Sequence, residues 1–300
     1  MKKTPITFAL FVLLLGFGPA TGAESTPPLH VVTSFSILAD MVYQIGGRGI
    51  TVTALVGPDA DTHNYQPTPE DAKTLAHADL VIINGLGFEG WMERLIEASG
   101  YKGKVIVAST GITPRLMTED GHEVTDPHAW QNVANGRAYM STIAAALIAA
   151  RPADTSVIHT SAYKYDITLR RVDQAIRTAF SSIPQNQRKI ITSHDAFGYF
   201  GDAYGITFLA PQGMNTENEP SAAAVAKLIE QIKVEKVSTV FIENMTNPKL
   251  MEQIARDTGA KMGGALYADA LSAPDGPADT YLAMFKNNLQ KMKTAMLTQK

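Results

Sequence analysis

The stretch Ile191–Phe200, ITSHDAFGYF, sets Ser193, His194 and Asp195 side by side, the residue types of a hydrolytic triad. Adjacent residues on extended chain point to opposite faces, whereas a triad needs its members hydrogen-bonded along one line. The chain also has no G-x-S-x-G elbow. Serine hydrolysis is set aside, which leaves the histidine for other work. His63 lies in GPDADTHNYQPTPED, His128 in DPHAW and His194 in KIITSH, while Asp269 lies in ALYADALS. Three imidazoles and a carboxylate suit a borderline divalent metal such as zinc. Their separations of 65, 66 and 75 residues form no local motif, so the case depends on where the fold puts them.

Each of the four follows a strand-like run: TVTALV before His63, KVIVAST before His128, KIITS before His194 and ALYA before Asp269. From Leu29, short β-branched runs alternate with amphipathic segments, the pattern of βα units around a mostly parallel sheet. After Val133 the turn residues thin out. ANGRAYMSTIAAALIAA reads as one helix stopped near Arg151-Pro152. A second, of about 25 residues, carries Val157, Ile158, Tyr165, Leu169, Val172, Ile176 and Phe180 at three- and four-residue spacings. Strand and helix then alternate again to a final helix, DTYLAMFKNNLQKMKTAM. The fold class expected is α/β: two lobes, 24–153 and 184–300, each with a small mostly parallel sheet flanked by helices, joined by a single long rigid helix over 154–183. No residue-level repeat relates the lobes. Open α/β sheets hold ligands beyond the carboxyl ends of their strands, where all four residues fall. His30, His77 and His159 sit in or beside secondary structure and read as surface or satisfied histidines; His122 reads as a loop residue able at most to lend a transient ligand.

The chain begins MKKTPITFALFVLLLGFGPATGA, the build of a cleaved secretory signal over residues 1–23. Its apolar stretch falls short of the ~20 residues that span a membrane, and no later run approaches that length. The absence of cysteine excludes disulfides, thiolate ligands and a lipidated N-terminal cysteine, so a soluble periplasmic protein is expected. Removing residues 1–23 takes away Lys2 and Lys3 and no acid, moving the net charge from -3 to -5. Nucleic-acid binding, which calls for a basic surface, is not expected.

Four neighbourhoods, DTHNYQPTPED, DPHAW, TSHDAFGYF and YADALS…TYLAMFKNN, together resemble the metal-specific solute-binding proteins of bacterial ABC importers, the cluster A-I family that serves zinc and manganese uptake. The resemblance covers nearly all of the mature chain in the family's order. It implies two four-stranded lobes with metal between them, His63 and His128 as ligands from the first, and His194 and Asp269 from the second. Manganese members commonly have glutamate where His194 stands, so the resemblance favours Zn2+ over Mn2+ or Fe2+. It also implies a membrane permease and a cytoplasmic ATPase as partners of a monomer; the chain has no G-x-x-x-x-G-K-[ST] loop of its own. Four protein ligands make a closed zinc site, unlike a hydrolytic site that keeps a position for water. The rival is a secreted zinc hydrolase in which Asp269 is not a ligand and Glu243 is the general base. Asp126, Asp195 and Glu243 are the expected partners for the outer imidazole nitrogens, with Asp126 alternatively a turn residue and Asp195 a helix N-cap.

Overall fold

β-Branched residues run through β1 (Leu29–Phe35) and leave it buried on both faces from Val31 onward, as a strand covered by helices requires. The computed structural model describes residues 27–119, 121–214, 216 and 219–298; the expected signal segment lies outside them. From β1 the chain continues through α1 (Ser36–Gly46), β2 (Ile50–Val56), α2 (Pro69–Ala76), β3 (Leu80–Ile83), α3 (Met92–Ser99) and β4 (Lys104–Val107). These four strands pair in parallel in the order β2-β1-β3-β4. Strand order reverses beside β1, which opens a crevice at the carboxyl edge of the sheet.

An antiparallel hairpin follows, β5 (Leu116–Glu119) with β6 (His122–Thr125). His122 is therefore the first, exposed residue of a strand and not part of a loop. α4 (Val133–Ala150) starts from Asn132, whose side chain accepts from Ala134 N at 2.9 Å, an N-cap that satisfies one free amide of the first turn.

The connecting helix α5 (Thr155–Ser181) has 27 residues, about 40 Å at 1.5 Å per residue. Its buried stripe is Ile158, Ala162, Tyr165, Leu169, Ile176 and Phe180. Val157, expected in that stripe, faces solvent, because the stripe starts one residue later. The second lobe holds β7 (Lys189–Ile191), α6 (Gly198–Tyr204), β8 (Thr207–Leu209), α7 (Ala222–Glu235), β9 (Thr239–Glu243), α8 (Lys249–Thr258), β10 (Lys261–Leu266) and α9 (Tyr281–Thr298). Its strands are also parallel, in the order β8-β7-β9-β10. Each lobe thus places its first strand second in the sheet: the repeat lies in topology and is absent from the residues.

A single apolar core runs from Val31, Phe35 and Leu38 through the α5 stripe to Phe200, Tyr281 and Phe285. A smaller cluster, with Ile191, Leu228, Val240 and Ile254, fills the space between the second sheet and α7 and α8. The chain is an α/β protein of two lobes joined by one long helix, as expected.

Candidate metal centre

The loop after β2 presents His63. Asp61 Oδ1 accepts from His63 N at 2.9 Å, an Asx-type turn, and Trp91 Nε1 donates to Thr62 O at 2.8 Å. The loop ends at α2, where Thr68 and Asp71 form a capping box with Pro69 opening the helix. Both ends are fixed, and the His63 ring meets the edge of Phe88 with centroids 4.7 Å apart. His128 follows Asp126-Pro127, whose Pro127 carbonyl accepts from buried Asn84 Nδ2 at 3.0 Å. His194 follows β7. Asp269 follows β10, and the carbonyl just before it, Ala268 O, accepts from Trp130 Nε1 at 2.9 Å and Gln131 Nε2 at 2.7 Å. The segment after His128 thereby holds the segment that carries Asp269, across the two lobes.

These anchors bring all four side chains to one point. His63 Nε2 lies 3.2 Å from His128 Nε2. Asp269 Oδ2 lies 3.5 Å from His63 Nε2 and 3.1 Å from His194 Nε2, and Asp269 Oδ1 lies 3.7 Å from His128 Nε2. One donor atom from each residue falls within 4.8 Å of all the others. A tetrahedron with zinc–ligand distances of about 2.0–2.1 Å has edges of about 3.3 Å, close to these four separations. His128, His194 and Asp269 are fully buried, and the His63 side chain keeps 7 % exposure, so solvent reaches the cluster past His63. A cavity of ≈ 330 Å³ is lined in part by Asp61, two residues before His63, together with Thr216, Met245 and Thr246.

The other ring nitrogens of His128 and His194 face carboxylates. His128 Nδ1 pairs with Asp126 Oδ1 at 2.8 Å, and His194 Nδ1 contacts Glu243 Oε2, with Glu243 Oε1 accepting from His194 N at 3.1 Å. A proton held on each Nδ1 leaves the Nε2 lone pair directed at the cluster. Asp126 also accepts from His128 N at 3.0 Å, so the turn role and the imidazole role coexist. Asp195 caps nothing: α6 begins three residues later from Phe197 without a side-chain cap. Glu243, the general base of the hydrolase reading, sits behind the His194 ring, and Asp269 lies among the three imidazoles.

Burial strips water from His63 and lowers its pKa, with His128 and His194 repelling a proton there and Asp269 opposing both effects. Burial acts in the same sense on His194, but Glu243 and Asp269 outweigh it and hold that imidazole well above its ordinary value. Burial would raise Asp269, yet His194 and His128 keep its carboxyl well below the usual range. Both Asp269 oxygens and His194 Nε2 are nonetheless buried outside hydrogen-bonding geometry. Buried polar atoms are costly without partners, and a divalent cation would satisfy all three together.

His30, His77 and His159 lie apart from the cluster: His30 Nε2 is 3.1 Å from Thr53 Oγ1, His77 Nδ1 is 2.7 Å from Lys73 O, and His159 is exposed on α5. Phe88, Asn84 and the Trp130-Gln131 pair escape sequence reasoning. Only the adjacency of Trp130 to His128 offered a signal.

The chain matches the family model "ZnuA: Zinc-uptake complex component A periplasmic" over residues 31–295. It is 32% identical over 295 residues to the manganese-binding lipoprotein MntA of Halalkalibacterium halodurans, covering 96% of this chain and 97% of that protein. It is 31% identical over 282 residues to the iron-binding protein YfeA of Yersinia pestis, covering 94% and 90%. The periplasmic zinc-binding protein TroA of Treponema pallidum superposes with a TM-score of 0.85 at 28% identity, over 90% of this chain and 99% of that one. With a family match over nearly its whole described length and relatives aligned end to end, this chain belongs to the zinc-uptake complex component A family, periplasmic metal-binding components of ABC importers and not enzymes.

Proposed function

We propose that this protein captures Zn2+ in the periplasm through His63, His128, His194 and Asp269 and delivers it, as a monomer, to an ABC permease driven by a cytoplasmic ATPase. The observation that carries the reading is the convergence of three Nε2 atoms on a fully buried carboxylate, at separations close to the edges of a zinc tetrahedron. Three imidazoles and one carboxylate form a borderline donor set, and such sites bind zinc more tightly than manganese or iron(II). A closed set of four protein donors suits capture rather than hydrolysis. Export by a cleaved signal agrees with this role, and among the described residues no helix is long and apolar enough to cross a membrane. A second reading, manganese or iron(II) as cargo, draws on the names of the relatives and on Asp269, whose two oxygens both face imidazoles and allow coordination to expand.

Metal analysis of protein purified from its native compartment without chelators or added metal tests the choice, together with equilibrium competition between Zn2+ and Mn2+. One equivalent of zinc, retained against excess manganese, is expected. Stoichiometric manganese or iron from the native compartment would overturn the zinc assignment, and a protein that binds no metal would overturn the site.

A further inference from the structure

An arginine reaches the back of the candidate centre and grips both lobes. Arg115, just before β5, donates from Nη1 to Asp126 Oδ2 at 3.1 Å and from Nε to Asp202 Oδ2 on α6 at 2.9 Å. The other Asp126 oxygen holds His128 Nδ1. Tyr199, also on α6, accepts from Arg115 N at 2.7 Å and donates to Asp126 O at 3.2 Å. Gly198 opens α6, and a side chain there would overlap both the Arg115 guanidinium and Asp126 Oδ2. Three residues within the first five of α6, namely Gly198, Tyr199 and Asp202, are thus shaped around one arginine of the other lobe. That helix starts four residues after His194.

We propose that Arg115 is a positioning residue for metal retention: it ties the Asp126–His128 pair of the first lobe to α6 of the second, so that His128 stays aimed at the ion while the lobes are closed. The proposal rests on the reading of His63, His128, His194 and Asp269 as metal ligands. A guanidinium can serve two carboxylates at once from a fixed planar fork, which a lysine ammonium cannot. The two grips also differ. Asp126 is fully buried, while the Asp202 side chain is 70% exposed. An exposed pair is weak and readily exchanged for water. When the second lobe shifts against the first, the outer grip yields first, and the Asp126–His128 pair loses its anchor on the second lobe.

The test loads the full-length protein with one equivalent of Zn2+ and follows its release to an excess of chromophoric chelator, with apoprotein melting measured alongside. Partners of metal-ligating histidines typically change affinity 10- to 100-fold when altered, so R115Q, acting through one such partner, should release zinc on the order of tenfold faster. D202N should accelerate release by about two- to fivefold, and the double variant should be no faster than R115Q, because both cut one link. R115K should leave release fast; full rescue by R115K would reduce the role to charge and overturn the fork. Wild-type release from both R115Q and D202N would overturn the proposal, as would acceleration fully accounted for by loss of apoprotein stability. If R115Q does not fold, D202N at the surface decides alone. Wild-type protein that takes up no zinc defeats the ligand assignment instead, which separates the two failures.

Discussion

Replacing Asp269 by asparagine keeps the shape of the buried side chain and removes the only anionic donor in the cluster. Its oxygens lie 3.1–3.7 Å from three Nε2 atoms and are fully buried, so the charge acts in a dry environment. Removing one partner from a buried charged pair costs about 3–5 kcal/mol. Part of that loss is returned, because Asp269 also helps to hold a proton on His194 that competes with the ion. The net effect should sit near the lower end, about 3 kcal/mol, or roughly 100-fold in Kd at 1.4 kcal/mol per tenfold. Competition against a chromophoric chelator at about pH 7.5, near the unperturbed range of the α-amino group, measures the change directly. Apoprotein urea melts would show whether the variant remains folded. Affinity within about threefold of wild type (less than 1 kcal/mol) would refute the role of the carboxylate and revive a site of three histidines alone.

Proton release offers a second check. In the metal-free protein burial disfavours the His194 cation, but Glu243 and Asp269 outweigh it and hold the proton above the ordinary histidine range. The ion must expel this proton, so affinity should fall as pH drops through that raised value and climb above it. Calorimetry in buffers of different ionisation heat should detect about one proton released at neutral pH; none released would contradict the assignment. A third check concerns the packing that joins the lobes. Gly136 on α4 lies where a side chain would overlap Tyr281 of α9, whose hydroxyl donates to Trp130 O. An exposed Gly→Ala change within a helix ordinarily stabilises by up to about 1 kcal/mol, but here overpacking should reverse the sign and destabilise by about 1–3 kcal/mol in urea denaturation. A stabilised G136A would show that α9 has room to shift.

His63, His194 and Asp269 are legible as a set because each follows a strand of a parallel sheet, and parallel strands deliver their following loops to one edge of that sheet; His128 arrives instead after the antiparallel hairpin that follows β4. His63 after β2 and Asp269 after β10 come together from 206 positions apart in sequence because, in addition, the loops at the carboxyl edges of the two sheets dock on one another, as where Trp130 and Gln131 hold Ala268 O. The hairpin β5–β6 is harder to see. Its strands are only four residues long, and Leu116, His122 and Glu123 are exposed on one face or the other, which looks like loop chemistry. Asp195 misleads for a related reason: it precedes an apolar helical stretch, yet α6 starts after Phe197 and leaves the carboxylate where burial, and after it the charge of Asp126, raises its pKa. Arg115 carries no local mark at all. Asp126, 11 positions away, meets it across the base of the β5–β6 hairpin, while Tyr199 and Asp202, 84 and 87 positions away, reach it only through the docking of one lobe on the other.

The buried stripe of α5 has a mechanical consequence. This helix packs on α1 and α4 at one end and on α6 and α9 toward the other, and its apolar residues belong to the same core as both sheets. A rod embedded at both ends resists bending, and swinging the lobes apart would pull Ile158, Leu169 and Phe180 out of contact at a cost of several kcal/mol. Torsion about the rod disturbs those contacts far less. The cheap displacement is therefore a slight twist that loosens the collar of loops around the ion, and cargo should leave through a change of aim in a few side chains rather than through a wide mouth.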